Sequence, residues 1–189
     1  MAPSCSEQGR ASDGGLAVLS RGVVRMQTIP HDTPHAPRWQ HVLVEIDRGR
    51  PLHVINVYGY DKSHAAAAKK NGELTQEISE VIATLGAAWW IAGSAWNEEA
   101  VDIWVLAVAE GRGRILPRQD HQGATVRPSG RRIDWFLVSD AIASRCGIEE
   151  ILTHEPLYPH HPVRLALRAS GRAAPMQLLD TPSGFPGSD

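Results

Sequence analysis

Between positions 71 and 86 the apolar residues Leu74, Ile78, Val81, Ile82 and Leu85 recur at spacings of four, three, one and three. That spacing lays them on one stripe of an α-helix, and Gly86 follows as its C-cap. The stripe is bracketed by two runs of strand character, PLHVINVY at 51–58 and WWIAG at 89–93. A helix set between two strands has to cover a sheet with its apolar stripe, so the chain is read as an α/β protein. At 189 residues it holds one domain with a sizeable core.

The remaining runs extend this scheme. GGLAVLS (14–20) and GVVRMQT (22–28) read as two short strands around Arg21, and QHVLVEID (40–47) forms a hairpin with 51–58 across the turn at 48–50. EEAVDIWVLAVAEG (98–111) reads as a second helix, RRIDWFLVS (131–139) as a strand with Asp134 embedded in it, and PVRLALR (162–168) as the last strand. Ala65 to Ala68 are helix-forming. Hairpins together with crossovers imply an α/β sandwich with helices covering the sheets. GGL at 14–16 precedes a strand instead of joining strand to helix, so a dinucleotide-binding turn is not indicated. The segments 1–13 and 170–189 are rich in Ser, Gly, Pro and Asp and read as flexible tails, which leaves a domain over 14–169.

A formal charge of −2 argues against a strongly basic binding surface, although Arg127, Arg131 and Arg132 could form a local patch. Cys5 and Cys146, far apart and without CxxC spacing, fit a reducing compartment. No apolar run approaches the roughly 20 residues of a membrane span, and positions 1–15 lack the charged start and apolar core of a signal peptide. The expectation is an intracellular protein without membrane partners.

Taken in order, GGLAVLSR (14–21), HVINVYGY (53–60), IAGSAWNEE (91–99), RRIDWFLVS (131–139) and HHPVRLAL (160–167) resemble the endonuclease/exonuclease/phosphatase superfamily of DNase I-like and exonuclease III-like enzymes. There the matching stretches look like GG-apolar-SR, NVY, GDxN, RID-aromatic and SDH-x-PV. The resemblance implies a DNase I-like α/β sandwich, two mixed β-sheets packed together and flanked by helices, here lacking the N-terminal strands. It implies descent from a metal-dependent phosphodiesterase using magnesium.

By resemblance, Tyr58 and Asn97 bind phosphate, His161 occupies the catalytic His position, and Asp134 orients it. Two positions depart from the pattern. Ala95 stands where GDxN has its Asp, and His160 stands where SDH has its Asp. A methyl group neither accepts a proton nor orients a water, and imidazole is a poor ligand for a hard cation. The family's metal-binding Glu has no candidate upstream of Gly14. Magnesium, implied by the family, is therefore not expected to bind this chain.

Other readings stand beside this one. His160 and His161 could form a turn, or half of a zinc site with His121 or His154. Trp89, Trp90, Trp96, Trp104 and Trp135 are expected in the core, with Trp96 beside Asn97 the one near the site. Glu98 and Glu99 read as first-turn helix acids. The function implied is a degenerate nuclease-like domain with impaired catalysis. The alternatives are an active magnesium-dependent endonuclease, a non-catalytic module binding nucleic acid or protein, and a retroelement-like remnant. Partners would be nucleic acid, or a second chain covering an exposed sheet.

Overall fold

A computed structural model describes residues 16–20, 24–47, 50–63, 65–98, 112–116, 123–127, 129–155, 158–169 and 172–178. Among these residues the chain forms a six-stranded mixed sheet and a three-stranded antiparallel sheet. The larger sheet contains β1 (Met26–Ile29), β2 (Trp39–Asp47), β3 (Arg50–Tyr58), β4 (Trp89–Ala95), β5 (Gly113–Leu116) and β6 (Asp134–Ser139), in the order β1-β2-β3-β4-β6-β5. The smaller one contains β7 (Cys146–Ile151), β8 (Val163–Ala169) and β9 (Arg172–Leu178). Two packed sheets are what the sequence implied, with the smaller one antiparallel instead of mixed.

The hairpin of β2 and β3 is antiparallel and pairs Trp39 with Val57 and Val42 with Val54. From β3 the chain crosses through helix α1 (Ala67–Leu85) and returns as β4, parallel to β3, with Leu52 beside Trp89 and Tyr58 beside Ala95. The helix takes in Ala67 and Ala68 and stops at Gly86, whose φ of 56° is a left-handed conformation suited to glycine.

Side chains alternate across each strand, so the sheet has two unlike faces. One buries Trp39, Ile55, Val57, Trp90, Ala92, Trp135 and Leu137 against Leu74, Ile78 and Ile82 of α1. Complete burial of each helix residue contributes about 1.5–3 kcal/mol. The other face packs Val42, Leu52, Val54, Ile91, Phe136 and Val138 against Val163, Leu165 and Leu167 of β8. Four of the expected core tryptophans, Trp89, Trp90, Trp96 and Trp135, are buried; Trp104 lies outside the described residues.

Several elements differ from the sequence reading. Residues 16–20 form no strand, although Leu16 is buried and the Ala17 carbonyl accepts a bond from Asn56 Nδ2 at 3.4 Å. The first strand is Met26–Ile29 instead of 22–28. The strand carrying Asp134 starts at Asp134 itself, because Ile133 and Asp134 donate their backbone N–H groups to Thr125 Oγ1. Within the segment read as a C-terminal tail, Arg172–Leu178 pairs with β8 as β9. A short helix α2 (Asp140–Ala143) follows β6. The helix expected over 98–111 lies outside the described residues except for Glu98, which sits in a bend.

Candidate functional site

The C-terminal ends of β3 and β4 meet the N-terminal end of β6 at one margin of the larger sheet. There Tyr58, Ala95 and Asp134 stand side by side in register on three adjacent strands. Counting in twos from Val54, Ile91 and Phe136 places all three on the face that packs toward the smaller sheet. The middle position is a fully buried methyl group.

Beyond Ala95 the chain turns sharply. Asn97 takes a φ of 58°, a left-handed conformation that Asn tolerates better than most residues, and its Nδ2 donates to the Gly59 carbonyl at 2.7 Å. Gly59 N–H in turn donates to the Ala95 carbonyl at 2.7 Å. A Cβ at Gly59 would overlap the Trp96 carbonyl, so only glycine allows the two turns to touch. Trp96 stacks on Trp135 with centroids 4.6 Å apart, and its Nε1 donates to the Trp135 carbonyl at 3.1 Å. Trp96 is thus a structural support for the turn that presents Asn97.

Asn71 of α1 closes this side. Its Oδ1 accepts from Tyr60 N–H at 2.6 Å, and its Nδ2 donates to the Tyr60 carbonyl and to Glu98 Oε1, both at 3.0 Å. Glu98 is thereby tied to α1, while its reading as a helix-start acid depends on residues outside those described.

The opposite side is built on Thr125. Besides its hydroxyl bonds to β6, its carbonyl accepts from His161 N–H at 2.7 Å, and Val126 forms an isolated antiparallel bridge with His160. This brings His160, not His161, against Asp134. His160 Nδ1 lies 3.0 and 3.2 Å from the two carboxylate oxygens, with Asp134 7% and His160 22% exposed at the side chain. With a carboxylate as its partner, Nδ1 carries the N–H that is donated.

His161 instead accepts from Arg127, whose Nε is 3.3 Å from His161 Nε2 and whose Nη2 donates to the Glu155 carbonyl at 2.9 Å. The pairing of Asp134 with His161 implied by the resemblance is corrected here. Consecutive residues of an extended segment face opposite ways, and the bridge to Val126 aims position 160 at Asp134.

One carboxylate at the mouth escaped the sequence reading. Asp61 accepts from Ser63 N–H at 2.8 Å. Its pKa is lowered by the hydrogen bonds from the Ser63 hydroxyl and N–H, and further by the charges of Arg131 and His160. The sequence signal was the spacing Asp61-Lys62-Ser63, that of an Asx turn. Of the zinc candidates, His154 lies beside Glu155 at 3.7 Å, and His121 is outside the described residues. Among the described residues no three His, Cys, Asp or Glu side chains converge as a metal-ligand group.

No family model and no curated protein matches the sequence. Solved structures do. The endonuclease domain of TRAS1, a telomere-specific non-LTR retrotransposon, superposes with a TM-score of 0.57 at 12% identity, covering 78% of this chain and 81% of that one. The fold is that of the endonuclease/exonuclease/phosphatase structures. The AP endonuclease of Leishmania major reaches a TM-score of 0.59 at 12% identity over 77% of this chain and 61% of that one. The 3' phosphatase NExo from Neisseria, solved with a product DNA hairpin, reaches 0.54 at 18% identity over 78% and 71%. These likenesses concern the fold; the chemistry of this chain's own row of residues has to be argued separately.

Proposed function

We propose that this cleft binds phosphodiester groups without hydrolysing them. The observation that carries this reading is Ala95, a buried methyl set between Tyr58 and Asp134. Magnesium takes a near-octahedral cage of oxygens, usually with one or two carboxylates. The row offers one carboxylate, already bonded to His160, Asp61 is engaged with Ser63, and among the described residues no three ligand side chains converge, so these residues do not fit that ion. Glu98 is held by Asn71. A row with less negative charge is, by the same token, less repulsive to a phosphate. Tyr58, Asn97, His160 and His161 can contribute hydrogen-bonding groups around it, with Arg127 and Arg131 adding positive charge. The DNA hairpin bound by the Neisseria phosphatase supports a nucleic acid as the source of the phosphates.

A second reading, an active magnesium-dependent endonuclease, is favoured by one observation. The carboxylate–imidazole pair Asp134–His160 is the arrangement that orients a general base. Supercoiled plasmid and a phosphomonoester incubated with magnesium or manganese separate the two readings. The binding reading expects no cleavage above that of the Asn97→Ala, His160→Ala double variant, with oligonucleotide binding measurable by anisotropy at low salt. Chelator-sensitive nicking that vanishes in the double variant establishes the enzyme instead.

A further inference from the structure

The row of Tyr58, Ala95 and Asp134 does not end at β3. One step beyond the Trp39–Val57 pair of the β2–β3 ladder stands Arg38, the last residue of a 3₁₀ turn (Ala36–Arg38). Its guanidinium carbon lies 5.4 Å from the centroid of the Tyr58 ring and 4.4 Å from that of Tyr60. Lys70, on the first turn of α1, brings its ammonium to 5.0 Å from the same Tyr60 ring. Two cations thus share one aromatic side chain, and among the described residues neither is paired with a carboxylate.

Aromatic faces attract cations electrostatically, and more strongly when both are partly shielded from water, as Arg38 and Lys70 are. Two like charges still repel across a shared ring. The carboxylates of the same wall, Glu73 and Glu77, are turned to His35, Lys69 and Trp39, which leaves Arg38 and Lys70 able to take an anion from outside.

The wall is rigid. Tyr60 has its hydroxyl 2.9 Å from His35 Nδ1 and its backbone bonded to Asn71. The 3₁₀ turn is fastened to α1 by Glu77, which accepts from His35 N–H and from Trp39 Nε1, both at 3.2 Å. The cations are therefore placed in advance, and little ordering entropy remains to be lost on binding.

Resting on the phosphodiester reading of the cleft, we infer that Arg38 and Lys70 extend it into a path for a polynucleotide backbone. The site then takes a strand and discriminates against a lone phosphate ester. Dimensions support a strand. Three strand spacings separate Arg38 from Asp134, about 14 Å, whereas successive phosphates of one DNA strand rise about 3.4 Å along the helix axis. A span of this length faces several phosphates at once. Because both cations lie on ring faces, bases are not stacked there, and the contact is to the backbone and indifferent to sequence.

The experiment is anisotropy titration of a labelled single-stranded oligonucleotide at several salt concentrations, with thymidine monophosphate as competitor. Arg38→Gln and Lys70→Gln are each expected to reduce the magnitude of the log K against log salt slope by about 0.7, the value for one phosphate contact on a single strand. Lys69→Gln, one residue away on α1 and paired with Glu73, is expected to leave the slope unchanged. Competition by the mononucleotide is expected to survive both wall variants and to disappear in Asn97→Ala. Wild-type slopes in Arg38→Gln and Lys70→Gln, or an equal loss in Lys69→Gln, would overturn the wall. If the wall variants lose slope while Asn97→Ala, His160→Ala binds normally, the wall stands and the cleft reading falls. No binding by the wild-type protein at low salt sinks both.

Discussion

The two flanks of the cleft are secured by different means. On the β3 side, Asn97, Gly59, Ala95, Tyr60 and Asn71 are joined by short hydrogen bonds between two turns and a helix. On the β6 side, Asp134 and His160 are joined through the segment 125–127, where Thr125 bonds to β6 and His161, Val126 bridges His160 and Arg127 N–H donates to the Pro159 carbonyl at 3.1 Å, while the side-chain contact of Arg127 to His161 is exposed. The first flank is tied by side-chain bonds between two turns and a helix, and the second by one short segment, 125–127, with an exposed outer contact. A ligand can therefore be received on the Tyr58 side with little rearrangement, while the two imidazoles have room to adjust to it.

The largest effect is expected where the rigid flank is closest-packed. Gly59→Ala drives a methyl group into the Trp96 carbonyl and should cost about 3 kcal/mol or more in urea unfolding. A loss below about 1 kcal/mol would show that this flank yields as readily as the other. Acid tests the same half of the sheet from its outer face. Burial lowers the pKa of His41 to about 4, helped by the charges of His53, 2.9 Å away, and of His31. Burial also lowers the pKa of His53.

A folded-state pKa below the ordinary 6.5 means that the folded chain declines a proton the unfolded chain accepts. The His41 contribution to stability is then full above pH 6.5, falls by up to about 3 kcal/mol as the pH drops to about 4, and is flat below. His41→Leu should flatten most of that slope, and an unchanged profile would remove His41 from the account.

Asn97→Ala both deletes the bond to Gly59 and places a Cβ without side-chain hydrogen bonding at φ 58°, with an expected loss of about 2–3 kcal/mol. Asn97→Gly, which is at ease at that φ, should lose about 1 kcal/mol less. On the other flank, Thr125→Val strands two buried N–H groups and should cost about 2 kcal/mol, while loosening His160 enough to broaden its NMR resonances. Smallest of all, Arg127→Gln removes an exposed contact and is expected to change stability by less than about 0.5 kcal/mol. If Arg127→Gln matched Asn97→Ala, the contrast between the flanks would be gone.

The parts of the fold visible in the sequence are those with a clean period. The stripe of α1 and the runs of β2, β3 and β4 each bury one or both faces, and burial imposes the pattern. The rest carried no such imprint. β5 is four residues long at a sheet edge, β7 carries Glu149 and Glu150 in succession, and β9 contains Pro175 within a segment whose composition suited a tail. Residues 16–20 differ for the opposite reason: their apolar run reads as a strand, yet Leu16 is buried without a ladder.

At the site, motif spacing brought Tyr58, Ala95, Asn97 and Asp134 to attention. Which of two adjacent histidines meets Asp134 depended on strand register, which spacing does not encode. Arg38, Asp61 and Asn71 join the site only because strands and helix converge, and no local pattern marks them.

The buried methyl of Ala95 has a consequence for altering the protein. Installing an aspartate there would set a carboxylate in a solvent-excluded position one strand away from Asp134, and two neighbouring carboxylates without a cation oppose each other's ionisation. The change would be repaid only with a bound cation, and a cation would be held only once further oxygen ligands were present. Ala95→Asp made alone is therefore expected to lower stability, because the new carboxylate arrives with no partner of opposite charge.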